Sequence, residues 1–224
     1  MTRIIAIRPE PGLSATLEAG RARGLDMVGV PLFEIRPLPW DPPEPEDFDG
    51  LLIGSANAIR HGGKNLNQFL GLVAHVVGEA TEKAVRDFGF DVGVVGKGGL
   101  QDVLDRIEPP ARLLRISGVE RVSLNVPEGI TVGTVTAYES VALPLDRAAL
   151  PSDGTRTVIL LHSAIAARHF ARECDELGID RSSLEIAALG PRIASAAGKN
   201  WGAIHVSPQP TDADLLALVE TLCQ

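Results

Sequence analysis

Ser55, Thr81 and Ser163 are the residues from which a chemistry can first be read, because each lies where an apolar, strand-like run gives way to a helix-like one. The arrangement occurs four times: Ile53-Gly54-Ser55-Ala56-Asn57, Val77-Gly78-Glu79-Ala80-Thr81, Leu161-His162-Ser163-Ala164 and Leu189-Gly190-Pro191-Arg192. A helix start offers backbone N–H groups that lack intrahelical partners, together with the positive end of the helix dipole. Both suit an anion. The three hydroxyls add donors at those positions. Taken singly, each also reads as an ordinary helix N-cap contributing about 1 kcal/mol; four such junctions in one chain point to anion binding. Arg8 ends the first strand, where its guanidinium can reach a ligand or form a surface ion pair. Tyr138, the single tyrosine, stands on a connecting segment that it can anchor or use to face a ligand.

Other chemistries fit less well. Gly93-Val94-Val95-Gly96-Lys97-Gly98-Gly99 has neither phosphate-loop nor dinucleotide spacing and reads as a strand-to-helix turn. The five histidines are scattered, without the spacing of a zinc site. Leu161-His162-Ser163-Ala164-Ile165 is not the Gly-x-Ser-x-Gly of a nucleophile elbow. The five acids between Asp41 and Asp49 are interleaved with prolines and read as a solvated linker.

The elements that position these residues alternate. Apolar or β-branched runs near 3–8, 27–32, 49–53, 73–77, 91–95, 112–116, 131–136, 157–161, 184–189 and 203–206 predict strands. Helices are predicted near 12–23, 55–60, 65–71, 79–88, 99–107, 119–124, 163–177, 191–200 and 211–222. Such alternation predicts an α/β fold with parallel sheets flanked by helices. Gly24, Gly89, Gly178 and Gly202 follow helical runs and are placed as C-caps. The order of elements also repeats. Leu51–Arg60 returns as Ile159–Arg168, Val76–Ala84 as Ala188–Ala196, and Arg3–Arg8 more loosely as Arg112–Ser117. A period of about 110 residues is a duplicated half-protein rather than a solenoid repeat. It predicts two similar lobes with a ligand cleft between them. Glu34–Pro45, with five prolines, and Tyr138–Leu145 occupy equivalent places in the repeat and read as two extended connections that can pair.

At 224 residues the chain is 45% hydrophobic and carries a net charge of −8. That charge argues against nucleic acid as a partner and requires any anionic ligand to be held by local features. Two cysteines are too few for a disulfide scaffold or a thiolate metal site. No apolar run is long enough to cross a bilayer. The first residues lack the regions of a signal peptide. A cytoplasmic, monomeric protein is expected.

Several motifs together carry a resemblance: Arg8-Pro9, Ser55-Ala56-Asn57-Ala58-Ile59-Arg60, Val77-Gly78-Glu79-Ala80-Thr81 leading to Phe88-Gly89-Phe90, Tyr138-Glu139, and Leu189-Gly190-Pro191 followed by Ile193-Ala194. In this order, over nearly the whole chain, they resemble the uroporphyrinogen-III synthase family. The resemblance implies two α/β lobes joined by a two-stranded linker, with the active site in the inter-lobe cleft. One lobe is residues 1–35 plus 142–224, the other 41–136, and the linkers are 36–40 and 137–141. It implies a lyase that cyclises hydroxymethylbilane with inversion of the last pyrrole ring and loss of water, on the route to haem, sirohaem, cobalamin and chlorophyll. The family uses no metal and no organic cofactor. Its substrate carries eight carboxylates, which fits several helix N-termini in a protein of negative charge. Tyr138 matches the family's tyrosine and is the candidate to assist departure of the hydroxyl. The candidate substrate-binding residues are Arg8, Ser55, Ala56, Asn57, Gly78 and Thr81, with Ser163, Ala164, Gly190 and Arg192. The chain departs from the family in having Gly54 and His162 where threonine is common, and Arg192 and Ile193 where hydroxyl residues are common. Two rival readings are a non-catalytic two-lobe anion-binding or sensing module and, less well matched, a nucleotide-sugar transferase.

Overall fold

The computed structural model describes residues 2–151 and 153–223. In chain order the elements are β1 (Arg3–Ala6), α1 (Gly12–Ala22), β2 (Met27–Gly29), β3 (Phe33–Pro37), β4 (Gly50–Ile53), α2 (Ala56–His61), β5 (Val73–Val77), α3 (Glu79–Phe88), β6 (Val92–Gly96) and α4 (Leu100–Leu104). They continue with β7 (Ala111–Gly118), β8 (Ile130–Ala142), β9 (Thr157–Leu161), α5 (Ala164–Glu176), β10 (Leu184–Ala188), α6 (Pro191–Ala197), β11 (Ala203–Val206) and α7 (Asp212–Leu222). Two α/β units result, one from Met1–Glu34 with Val141–Gln224 and one from Ile35–Ser140.

The first unit's sheet has the order β11-β10-β9-β1-β2, and every neighbouring pair is parallel. The second reads β6-β5-β4-β7-β8, parallel throughout, with β3 at its edge beside β8. The repeated runs equate β7 with β1, β9 with β4 and β10 with β5. On that correspondence the two sheets have one strand order. Each sheet takes two strands from one repeat and three from the other, so the duplicated halves have exchanged their ends. This is why the first unit is discontinuous in sequence.

Strands covered on both faces read as unbroken apolar runs, and all of β4 and β9 is buried. Successive side chains point to opposite faces, which divides each unit into two cores. Ile5, Ile159 and Leu161 pack with Phe170 and Cys174 of α5, whereas Ile4, Val158 and Leu160 pack with Leu215 and Val219 of α7. In the second unit Leu51, Ile53 and Leu114 face the α2 and α3 side, and Leu52 and Leu113 face α4. Phe170 stacks on Trp201 at 5.5 Å between ring centroids, and Trp201 donates from Nε1 to the Ala197 carbonyl.

The structure corrects several expectations. Residues 119–124 form no helix. The Val122 carbonyl accepts from Arg115 Nη1 at 2.9 Å, and the Asn125 N–H and carbonyl both bond the Gln101 side chain, so side chains replace the bonds a helix would make. Residues 64–69 are a 3-10 helix. The proline-rich stretch contributes β3 and is anchored by Trp40, which donates to the Gly62 carbonyl and stacks on Phe69. Asp49 is not merely solvated: it accepts the Arg112 N–H at 2.8 Å, and hydrogen bonds from Arg112 hold its carboxyl below the usual range. Gly202 is no C-cap. A Cβ there would lie 2.6 Å from the Ser182 carbonyl oxygen, so the glycine serves a close backbone approach.

Candidate active site

In the second unit β4 and β7 end beside β8, which runs on past them, and together they shape one pocket. Ser55 follows β4 in extended conformation, and its Oγ accepts the Asn57 N–H at 3.2 Å, so it does cap α2. On β7 and β8 the register runs Arg115 with Thr134 and Ser117 with Thr136, then skips to Gly118 with Tyr138. This bulge aligns Gly118 with the tyrosine. A Cβ on Gly118 would lie 2.6 Å from Tyr138 Cε2, so the absent side chain is what admits the ring. The Val119 N–H then closes on the Tyr138 carbonyl at 3.0 Å.

The pocket holds about 190 Å³ and is lined by Ser55, Arg115, Gly118, Arg121 and Tyr138 among others. Tyr138 is half-buried, and its hydroxyl has no hydrogen-bond partner among the described residues. His61 lies beside it, ring centroids 6.4 Å apart; burial foremost, and then the Arg60 charge, push the His61 pKa down. Arg115 is only 7% exposed. Burial foremost, and then Arg121, lower its pKa, with Tyr138 acting in the opposite sense. Arg121 Nη1 donates to Thr136 Oγ1 at 3.1 Å and to the Gly118 carbonyl at 3.2 Å.

The second junction of this unit is different. Gly78 precedes α3 with φ +77, where a side chain would be strained. Glu79 and Glu82 stand in the first turn, so the positive end of α3 already faces carboxylates. Thr81 is 5% exposed. Neither Gly78 nor Thr81 lines the Tyr138 pocket.

In the first unit Ser163 caps α5, its Oγ accepting the Ala166 N–H at 3.1 Å. Gly190 caps α6 through its backbone, with Pro191 at the first helical position. The ends of β9 and α6 frame a pocket of about 700 Å³ lined by His162, Ser163, Ala164, Arg168 and Arg192 among others, with no acidic residue. Arg168 and Arg192 are exposed and make no ion pair among the described residues. Such a lining suits carboxylates. Arg8 and Gly190 do not line it. Arg8 instead bonds Asp212 Oδ2 at 2.7 Å and Thr16 Oγ1 at 3.1 Å. Asp212 also accepts from Thr16 and lies 3.3 Å from His162 Nε2. Burial alone would push this carboxyl up, but His162, Arg8 and Thr16 together hold it at about 2.

The structure thus brings Ser55 and Tyr138 to one pocket, and Ser163, Ala164 and Arg192 to another. Arg115, Arg121, Arg168 and Asp212 were not singled out from the sequence. For Arg115 a signal existed: a charge inside the apolar run Leu113-Leu114-Arg115-Ile116, where arginine is seldom buried without a task.

The second unit thus sets an unpartnered tyrosine hydroxyl in a pocket with one buried guanidinium group, and the first unit has a pocket lined by two exposed arginines. The chain is similar over its full length to solved structures at low identity. It matches uroporphyrinogen-III synthetase from Helicobacter pylori 26695 with 18% identity and a TM-score of 0.69, over 99% of this chain and 100% of that one. It matches a mutant uroporphyrinogen III synthase from the extremely thermophilic bacterium Thermus thermophilus with 15% identity and a TM-score of 0.56, over 100% and 98%. At these identities the likeness is one of fold. No curated protein sequence matches. The sequence model described as "Uroporphyrinogen-III synthase HemD" matches residues 14–217, nearly the whole of both units, and the chain therefore belongs to the uroporphyrinogen-III synthase family.

Proposed function

We propose that the family's reaction, cyclisation of hydroxymethylbilane to uroporphyrinogen III, is carried out here by a lyase whose key group is Tyr138. The observation that carries this reading is the unpartnered Tyr138 hydroxyl in a pocket shared with Ser55, Arg115 and Arg121. As the carbon–oxygen bond of the hydroxymethyl group breaks, electrons from its pyrrole nitrogen expel the hydroxyl. The Tyr138 O–H gives that hydroxyl its proton, and water leaves. The substituted α-carbon of the last ring then bonds to the electrophilic carbon. Its older bond to the neighbouring methylene bridge breaks, leaving that methylene electrophilic, and the free α-carbon of the same ring bonds to it. The ring is thereby inverted, and the proton it sheds on regaining aromaticity returns to the phenolate. Fixing which carbon attacks is a matter of orientation, which supplies on the order of 7–11 kcal/mol in the best cases.

Eight carboxylates give the protein handles for that orientation. Arg168 and Arg192, with the N–H groups at the start of α5, suit some of them in a pocket whose lining holds no acid, beside His162, which is itself paired with Asp212. Ser55, Ala56 and Asn57 offer donors at the start of α2, although that helix is six residues long and its dipole is correspondingly small. Arg8 contributes through Asp212, which it holds beside His162. Gly78 and Thr81 contribute backbone geometry at the start of α3. No helix among the described residues is long and apolar enough to cross a membrane. We take the working form to be a cytoplasmic monomer, which sedimentation and fractionation test. The activity test is direct: freshly generated hydroxymethylbilane is given to the purified protein, and type III is separated from type I product by chromatography. Type I alone would overturn the reading.

A further inference from the structure

Arg115 is the one charged side chain of the Tyr138 pocket that is more than nine-tenths buried. It stands at the fifth position of β7, between Leu114 and Ile116, both 1% exposed. One arm of its guanidinium is used, since Nη1 donates to the Val122 carbonyl at 2.9 Å. Its Nε is buried and has no hydrogen-bond partner. A buried charged donor left unpaired is costly, so natural proteins keep one where something else completes it. Arg121 cannot take over that task, because its Nη1 is tied to Thr136 and the Gly118 carbonyl. Glu120, the pocket's only acid, is exposed and makes no ion pair among the described residues, so it does not neutralise Arg115. The volume of about 190 Å³ accommodates a carboxylate on a short alkyl arm and little more. A guanidinium with one arm pinned presents its remaining N–H donors in a fixed plane, which matches a carboxylate.

We propose that Arg115 binds one side-chain carboxylate of the tetrapyrrole, using its unpartnered Nε–H, and thereby registers the reacting end of the substrate against the Tyr138 hydroxyl. The inference rests on the synthase reading above. It makes Arg115 a substrate-binding residue as well as a strut for the 119–126 segment, and the two roles separate experimentally. A strut affects stability, whereas a carboxylate partner affects KM and product affinity.

The test compares the whole wild-type protein with Arg115→Gln and Arg115→Lys, each checked for fold by circular dichroism. Arg115→Gln should raise KM for hydroxymethylbilane roughly tenfold to a hundredfold, the scale of a charge-assisted hydrogen bond, with a much smaller change in kcat. It should weaken binding of uroporphyrinogen III, measured calorimetrically without oxygen, by a similar factor. Arg115→Lys should recover part of both. Coproporphyrinogen III, which bears methyl groups in place of the acetates, identifies the partner: a loss confined to uroporphyrinogen assigns an acetate, and a loss with both assigns a propionate. Should the variants fail to fold, the Arg115 Nε–H of the wild-type protein, assigned through its own backbone, is followed by NMR during titration with uroporphyrinogen III. A downfield shift that saturates with product is expected. A wild type that makes type III, with unchanged KM and product affinity in folded Arg115→Gln or an unmoved Nε–H signal, overturns this proposal alone. A wild type that makes only type I overturns the synthase reading and this proposal with it.

Discussion

The ring of Tyr138 occupies the space that a side chain on Gly118 would fill: a Cβ built there would lie 2.6 Å from Cε2 and 2.9 Å from Cζ. Glycine here is a spatial requirement of the tyrosine. Gly118→Ala should therefore displace the ring without unfolding the sheet, since β7 remains bonded to β4 and β8. The expected outcome is a kcat roughly tenfold lower with KM nearly unchanged. Tyr138→Phe should cost more, about a hundredfold in kcat, as expected for loss of a positioned proton donor. Because Tyr138 is the only tyrosine, the NMR spectrum of protein labelled at tyrosine reports the displacement directly. Gly118→Ala with wild-type kcat and an unaltered tyrosine spectrum would contradict the argument.

Ser55 and Ser163 should behave as caps. Each Oγ accepts one backbone N–H, from Asn57 and Ala166 respectively. Alanine at either position should lower stability by about 1 kcal/mol and turnover efficiency by no more than about tenfold. Ala56→Pro is sharper for the backbone reading. Proline is tolerated at the first helical position but removes an N–H, so the fold should persist while product affinity falls. Ser55→Ala abolishing activity while Ala56→Pro leaves it intact would point to serine chemistry instead.

Much of this was legible in the chain, for reasons that particular residues make plain. The alternation of apolar runs with helical stretches fixed the α/β class, and Ser55 and Ser163 marked two helix starts because a hydroxyl before a helix has one common use. Other features were hidden. Val119, Val122 and Val126 are spaced as on a helix face, yet the segment is irregular because Arg115 and Gln101 bind its backbone. Those side-chain bonds are tertiary and leave no local trace. Arg8 and Asp212 lie at opposite ends of the chain, so their pairing follows only from the neighbouring positions of β1, β9 and α7. The exchange of repeat halves is likewise invisible to periodicity. Both swapped and unswapped arrangements bury the same apolar faces.

His75 makes the second unit sensitive to mild acid. Between β5 and β6 the register shifts, Ala74 pairing with Val92 and Val76 with Val95, which leaves Gly93 and Val94 opposite His75. The Val94 N–H freed by this bulge donates to His75 Nδ1 at 3.2 Å. Burial lowers the His75 pKa, and an acceptor nitrogen must be unprotonated. The unfolded chain therefore takes up its proton first, and stability should fall as pH drops below about 6.5. Replacing His75 with glutamine should flatten the dependence of the urea midpoint on pH near this value. A dependence unchanged in the folded variant would assign it elsewhere.

Asp212 governs a lower pH range with the same sign. Its carboxyl is held at about 2 in the fold, against an ordinary 3.8, by His162, Arg8 and Thr16 acting against the effect of burial. A depressed carboxylate stabilises the fold above its unfolded value, and that contribution disappears as pH falls from about 4 towards 2. Asp212→Asn removes the charge while keeping the shape. At neutral pH the variant should be less stable than wild type, by an amount reduced because Asp212 and Arg8 are both partly exposed. Near pH 2 most of the difference should be gone, since the carboxyl is then about half protonated in the folded wild type and almost wholly protonated in the unfolded chain. The variant also loosens His162, which lines the cation-rich pocket of the first unit, so KM for hydroxymethylbilane should rise a few-fold more than kcat falls. Urea unfolding of both proteins between pH 2 and pH 7, with KM measured at neutral pH, checks each part. Parallel stability curves over the whole range would mean that Asp212 contributes nothing through its charge.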